Sequence, residues 1–351
     1  MTGRTAVTDR TLETPPVSVI VPVYNGGADF ARCLDALLAS PPAPGWELIV
    51  VDDGSTDRSA ATAHAAGALV VSSPGPRGGP GAARNAGAAV ARGEFLFFVD
   101  ADVLVRPDTI ARVVEAFRAE PAIAALFGSY DDAPAARNVV SQYKNLFHHY
   151  VHQTSRREAT TFWAGCGAIR RAVFEELGGF DPAYDRPSIE DIELGYRLTR
   201  AGHRVRLCHD LQVTHLKRWT PLSLLRTDIF DRGIPWTALL LRERAFTADL
   251  NLQTSNRVSV ACVYLLWAAL AAAALLVFNA PLYAFFLRRR GPLFLLAAIP
   301  WHWLYYTYNG VCFALGTLAY LRAGRLKGPV ASAAPSGALG PAGDGVREAG
   351  G

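Results

Sequence analysis

Residues 94–102 (EFLFFVDAD) constrain this chain more than any other stretch. Phe95 to Val99 is a continuous apolar run, the pattern of a strand buried on both faces of a mostly parallel sheet. The run closes in two acids, Asp100 and Asp102, which on a strand would point the same way. In open α/β sheets, ligands sit just beyond the carboxyl ends of the strands. Mg²⁺ is typically held by one or two carboxylates together with substrate phosphates. Two acids at such a strand end therefore suit a divalent cation that carries a diphosphate. A lone Asp-x-Asp is equally the sequence of a solvated acidic turn, so the rest of the chain must decide between the two.

The upstream sequence repeats one pattern. Residues 17–25 (VSVIVPVYN) are a β-branched run closed by Pro22 and Asn25, a strand that ends in a loop. Over 28–39 the apolar residues Phe30, Cys33, Leu34, Leu37 and Leu38 recur at helical spacing, and Pro41-Pro42 stops them. Residues 47–51 read as a second strand followed by Asp52-Asp53-Gly54-Ser55-Thr56-Asp57, in which Gly54 permits a tight turn. A short strand at 68–71, a Pro/Gly loop at 72–81 and an Ala-rich helix at 82–91 lead to the central strand. This β-α-β-α-β order predicts a doubly wound α/β sheet, mostly parallel and flanked by helices. Gly79-Pro80-Gly81 evokes the dinucleotide fingerprint, but the third glycine and its downstream acid are missing.

Beyond the centre, a helix is expected at 106–120, a strand at 123–130 and a long helix at 135–157. The long helix carries His148 and His152 one turn apart, without adjacent residues to complete a metal site. Residues 161–169 form an apolar strand with glycines that let a ligand approach the backbone. Residues 189–198 read as a helix with Glu190 and Asp191 in its first turn, where negative charge is favoured in any case. A strand at 204–208 precedes His215-Leu216-Lys217-Arg218-Trp219.

Composition narrows the class. The 351 residues suggest about two units, and half are hydrophobic. A net charge of +4 gives no reason to invoke nucleic acid and suits an anionic membrane surface. Five scattered cysteines without a Cys-x-x-Cys argue against a disulfide framework or zinc site. Residues 1–16 are polar, lack the apolar core of a signal peptide and read as a disordered lead.

Taken in order, VIVPVYN at 19–25, VDDGSTD at 51–57, Ala83-Arg84-Asn85-Ala86-Gly87, Asp100-Ala101-Asp102, Trp163-Ala164-Gly165, Gly178-Gly179-Phe180-Asp181, Glu190-Asp191 and His215 resemble the family 2 glycosyltransferases of GT-A fold. The resemblance covers residues 17–220. It implies transfer of a sugar from a nucleotide-sugar, with inversion at the anomeric carbon. Pro22, Tyr24, Asn25, Asp53, Arg84, Asn85 and Asp100 would lie at the nucleotide, Asp53 on the base. Asp102 and His215 would hold Mn²⁺ or Mg²⁺. Asp191 would be the general base, supported by Glu190. Trp163, Gly165, Arg218 and Trp219 would face the acceptor. The resemblance favours a UDP-sugar, and where processive synthases carry Gln-x-x-Arg-Trp this chain has His215-x-x-Arg218-Trp219, which favours a single transfer. Polyprenyl phosphate is the alternative acceptor, and a catalytically silent nucleotide- or lipid-binding scaffold the alternative from another class.

The C-terminal third changes character. Over 221–257, Leu222, Leu225, Ile229 and Phe230 oppose Arg226, Asp228 and Arg232, the pattern of a basic amphipathic helix at a membrane interface. Residues 258–287 and 291–321 carry no charge and are separated by Arg288-Arg289-Arg290, so two transmembrane helices are expected over 258–321. A simple hairpin would put that arginine triplet opposite the catalytic domain, whereas a break at Asn279-Ala280-Pro281 would return it. The expected arrangement is a multi-pass cell-membrane protein, catalytic domain cytoplasmic, with a lipid or lipid-linked acceptor. Residues 322–351 read as a disordered tail.

Overall fold

The computed structural model describes residues 15–41, 45–75, 77–243, 254–264 and 269–322. The expected disordered ends and part of the interfacial linker lie almost wholly outside these residues. Four parallel strands build the first half: β1 (Val17–Val23), β2 (Trp46–Asp52), β3 (Leu69–Ser72) and β4 (Phe95–Val99). Helices α1 (Gly27–Leu38), α2 (Ser59–Ala65) and α3 (Gly79–Val90) connect them. The short β5 (Val103–Leu104), α4 (Thr109–Ala119), β6 (Ile123–Tyr130), α5 (Val139–Thr154), β7 (Glu158–Ala159), β8 (Cys166–Arg170), α6 (Arg171–Glu176), α7 (Glu190–Arg200) and β9 (Arg204–His215) follow. The strand order is β3-β2-β1-β4-β8-β6-β9-β5, with β7 against β9. β8 runs antiparallel between β4 and β6, so the second half of the sheet is mixed.

Period-two alternation sorts the central strands into two cores. Ile20, Leu96 and Phe98 pack with Ala83 and Ala88 of α3 and Tyr143 and Phe147 of α5. Val19, Val21, Phe95 and Phe97 pack on the other face with Phe30 and Leu34 of α1 and Ile110 and Phe117 of α4. Phe95 stacks on Phe117 with ring centroids 4.4 Å apart. At Gly87 a Cβ would come within 2.5 Å of Ile20 Cγ2, so this glycine sets how closely α3 approaches β1.

Two local expectations are corrected. β4 ends at Val99, and Asp100 and Asp102 lie in the turn that leads to β5. A turn rather than strand alternation therefore aims them. The expected strand at 161–169 begins only at Cys166; residues before it form a loop.

The C-terminal third departs most from expectation. It forms α8 (Pro221–Arg226), a π-helical segment (Thr227–Gly233), α9 (Ile234–Glu243), α10 (Thr254–Val263), α11 (Ala269–Phe278), α12 (Ala280–Arg290) and α13 (Pro292–Arg322). The two expected transmembrane helices are not found: no helix among the described residues is long and apolar enough to cross a membrane. Helices α10, α11 and α12 have 10, 10 and 11 residues, about 15–17 Å at 1.5 Å per residue, roughly half the ~30 Å hydrocarbon core. The 31-residue α13 is long enough, but it contains Pro300 and a set of polar and aromatic residues that face inward. His302 meets the Tyr283 hydroxyl at 3.0 Å, and the Tyr306 hydroxyl donates to Asn279 at 2.6 Å.

These helices pack on the central sheet through α5. Lys144 of α5 donates to both Asp228 oxygens at 2.7 Å, and the Tyr308 hydroxyl of α13 donates to the same carboxylate. Asp228, read as part of a solvated polar face, is thus buried. The arginine triplet also contacts the sheet domain: Arg290 donates to Gln142 and to the Asp132 carbonyl, both at 2.9 Å, and Arg289 pairs with Asp132. The helix does break near Asn279: α11 ends at Phe278 and α12 begins at Ala280.

Candidate active site

The carboxyl ends of β1, β2 and β4, the loop before β8, the first turn of α7, the end of β9, and one face of α5 enclose a cleft of about 850 Å³. The π-helical segment and α13 close its far side.

At the β1–β2 end the loops are laced together. Asn25 adopts a left-handed backbone (φ 49°), and its side-chain oxygen accepts from the Thr56 and Asp57 amides at 2.7 and 3.2 Å. Asp53 accepts from the Gly78 and Gly79 amides at 2.9 and 3.0 Å, one on each oxygen. Each oxygen keeps a lone pair, and the carboxylate lines the cleft. Tyr24 lies at the mouth with the Arg77 guanidinium 4.5 Å from its ring centroid.

The middle of the cleft is organised by Arg84 of α3, which is 3 % exposed. One guanidinium nitrogen donates to Asp100 at 2.6 Å and another to Glu190 at 2.8 Å. These acids hold it firmly charged despite burial. Glu190 takes a second bond from the Ser188 amide at 3.0 Å, which leaves it a positioning group. Asp191, beside it, accepts from the Ala164 and Ile192 amides at 3.0 and 2.8 Å. Its carboxyl is pushed up to about 7, first by burial and then by the Glu190 charge, against the pull of Arg84. A carboxylate in that range can both exist ionised and accept a proton near neutral pH.

Asp102 turns the other way. Its Oδ2 lies 3.4 Å from Nε2 of His215 at the end of β9. His215 Nδ1 lies 2.8 Å from Asn145 Oδ1, which only accepts, so the ring proton belongs on Nδ1. Nε2 then carries a lone pair that faces a carboxylate. Two electron-pair donors face each other across a gap that suits a cation. The donor set fits a divalent ion that takes its remaining ligands from substrate oxygens and water. Among the described residues no cluster of three or more such ligands forms, so the protein alone would not complete the shell.

The far half of the cleft is aromatic and cationic. Tyr130 stacks on His215 at 4.6 Å and meets Trp163 edge-on at 4.7 Å. His148 and His152 line this region, and burial drives both imidazoles well towards the neutral form. Trp219 is almost wholly buried, with Lys217 Nζ 4.3 Å from its ring centroid, so Trp163 is the more accessible platform.

Most of the sequence-predicted residues converge here, and two do not line the cleft. Asn85 exchanges hydrogen bonds with the Phe180 backbone, both at 2.8 Å, and fixes the Gly178-Gly179 turn. At Gly165 a Cβ would come within 2.6 Å of the Trp163 indole, so its absence seats that ring. Tyr130, Asn145, Lys144 and Arg232 were not singled out as site residues. The His148/His152 spacing was the one signal that α5 faces a ligand.

Residues 18–178 match the model of glycosyl transferase family 2. The pre-mycofactocin glycosyltransferase of Mycobacterium tuberculosis is 30% identical over 221 residues, 58% of this chain and 44% of that protein. An O-antigen chain rhamnosyltransferase of Salmonella typhimurium is 28% identical over 235 residues, 63% and 74%. The succinoglycan biosynthesis protein ExoO of Rhizobium meliloti is 37% identical over 112 residues, 29% and 30%. The chain thus spans less than half the length of two of these three. Among solved structures, a mannosyltransferase of Pyrobaculum calidifontis superposes with a TM-score of 0.54 at 19% identity, covering 90% of this chain and 89% of that one. Residues 1–349 of S. aureus TarS give 0.52 at 19%, covering 88% and 92%. The sheet and its flanking helices therefore have the GT-A architecture, and residues 18–178, just under half of the chain, match family 2 of the glycosyl transferases.

Proposed function

We propose that this chain transfers a sugar from a nucleotide-sugar to an acceptor hydroxyl, with inversion and with a divalent cation. The observation that carries the reading is that one cleft holds both the Asp102/His215 pair and Asp191, a half-buried carboxylate held by two backbone amides and pushed up to about 7. The acceptor oxygen attacks the anomeric carbon, the bond from that carbon to the diphosphate breaks, and Asp191 receives the hydroxyl proton. The Ala164 and Ile192 amides fix the Asp191 carboxylate, the Glu190 charge beside it favours its proton, and Arg84 offsets the surrounding negative charge. A divalent cation bound by Asp102 and His215 would absorb the charge that develops on the leaving diphosphate. Asp53 would read the base with its remaining lone pairs, most simply uracil. The solved neighbours contain GDP-Man with Mn²⁺ and UDP-GlcNAc respectively.

The acceptor is a lipid or lipid-linked saccharide at the cytoplasmic face of a membrane. Relatives include proteins named for succinoglycan, O-antigen and poly(ribitol-phosphate) synthesis. Leu293, three residues beyond the arginine triplet, is 82% exposed, and Leu222 and Val277 on other C-terminal helices are 78% and 70% exposed, which suits a surface lying on a bilayer.

Release of nucleoside diphosphate from a panel of nucleotide-sugars tests the reading, with Mn²⁺ or Mg²⁺ and a membrane-lipid extract. Release that requires metal and lipid and is lost in Asp102→Ala and Asp191→Asn is the expected result. Full activity in Asp191→Asn would instead favour a phosphate acceptor, which needs no base. Nucleotide binding without turnover on any acceptor would leave a scaffold.

A further inference from the structure

The half of the cleft beyond Asp191 holds a cation that the reaction as described does not use. Arg232 sits on the π-helical segment, whose i→i+5 winding is rare and concentrates at functional sites. It lines the cleft, and among the described residues no hydrogen bond or ion pair holds it. The other buried cations are engaged: Arg84 with Asp100 and Glu190, Lys144 with Asp228. Arg232 nevertheless lies within electrostatic reach of Asp191, Lys144, Lys217, His148, Tyr130 and Tyr305. Those six come from four elements and the loop after β9, so the guanidinium faces several walls of this half of the cleft. Lys144 and Asp228 cancel each other and Lys217 faces Asp102 before any other acid, which leaves Arg232 and Arg218 against Asp191 and Asp231. An unpaired guanidinium kept half-buried beside a like-charged lysine awaits a counter-ion. Its fork matches the paired oxygens of a phosphate or carboxylate.

The geometry points to Arg232 as the seat of an oxyanion carried by the acceptor, so that the acceptor is an alcohol bearing a phosphate ester or carboxylate near the reacting hydroxyl. This deepens the glycosyltransferase reading and rests on it for the word acceptor. With the anion on Arg232, the acceptor's charge is neutralised beside Asp191 rather than opposed by it. Neutral alcohols lack that anchor.

The test is calorimetric titration of the full chain with glycerol 3-phosphate and with glycerol, with and without saturating nucleoside diphosphate and Mn²⁺. Glycerol 3-phosphate should bind the wild-type chain, at least tenfold more weakly to Arg232→Gln, with partial recovery in Arg232→Lys. Glycerol should not distinguish the three. Sedimentation with phosphatidylcholine vesicles, with or without phosphatidylglycerol, separates a lipid headgroup from a free phosphate ester as the source. Binding of either the soluble ester or the anionic vesicles, lost in Arg232→Gln, supports the proposal. Equal anion binding by wild type and Arg232→Gln overturns it. So does a loss confined to nucleotide affinity, which would assign Arg232 to the donor. So does an effect confined to the pH profile of transfer and equal for charged and neutral acceptors, which would make Arg232 a positioning residue for Asp191. Failure to bind any nucleotide, with anion binding intact, would instead take down the glycosyltransferase reading alone.

Discussion

Asp191→Asn should abolish transfer and stabilise the protein, in a pH-dependent way. The native carboxyl is raised from the ordinary 3.8 to about 7. The folded chain therefore binds the proton more tightly than the unfolded chain, and stability falls as pH rises from about 3.8 towards 7. The gap is about 3 pH units, or about 4 kcal/mol at 1.36 kcal/mol per unit, fully present by pH 8 and reduced to about 2 kcal/mol at pH 5. Asparagine removes the charge, but its amide can accept from only one of the two backbone N–H groups that Asp191 satisfies. That loss costs about 1–2 kcal/mol. The net gain is then about 2 kcal/mol at pH 8, roughly 4–8 °C in Tm, and close to nil at pH 5. Thermal denaturation without nucleotide at the two pH values reads this directly. A variant less stable than wild type at pH 8, or shifted equally at both, would refute the claim that the ionised base is held at a cost.

Three further outcomes follow from the same geometry. Asn145→Ala should raise the Mn²⁺ concentration needed for half-maximal transfer by about 10- to 100-fold, because His215 loses the bond that fixes its tautomer; an unchanged metal titration would count against the Asp102/His215 site. Lys144→Met should cost about 3–5 kcal/mol in denaturant unfolding by stranding the Asp228 charge, and Lys144→Met with Asp228→Asn should recover much of that. Flotation with phosphatidylglycerol vesicles should be weakened by Leu293→Ser and by changing Arg288, Arg289 and Arg290 to Gln; indifference to both changes would remove the membrane-surface proposal.

The parts of the fold legible in sequence were those with local causes. Apolar runs and β-branched residues mark β1, β2, β4 and β6, and helical spacing marks α1 and α4. Asp100, Asp102, Asp191 and His215 were legible as motifs but not as geometry. Asp100 and Asp102 diverge because the chain turns at Val99, and one pairs with Arg84 while the other faces His215. The Arg84–Glu190 bond joins residues 106 apart, and no local pattern announces it. Asp228 was misread because a helical wheel assumes 3.6 residues per turn, whereas the chain there is π-helical. The C-terminal run differs for another reason. Absence of charge is not apolarity: Asn279, His302 and Tyr306 carry hydrogen bonds between the helices of this layer.

The far wall of the cleft, to which α13 contributes Tyr305 and Asn309, separates two kinds of heritable change. Residues at the end proposed for the nucleotide are encoded before residue 103 and rest on the parallel sheet, while much of the opposite wall is encoded after residue 218 and rests on helices. Substitution or exchange in the late segment can remodel what enters from that side without touching the loops laced by Asn25 and Asp53. A lineage could thus diversify its products through its C-terminal third while keeping its sugar supply. The same division marks residues 221–322, rather than the sheet, as the stretch to recombine when a new acceptor range is wanted.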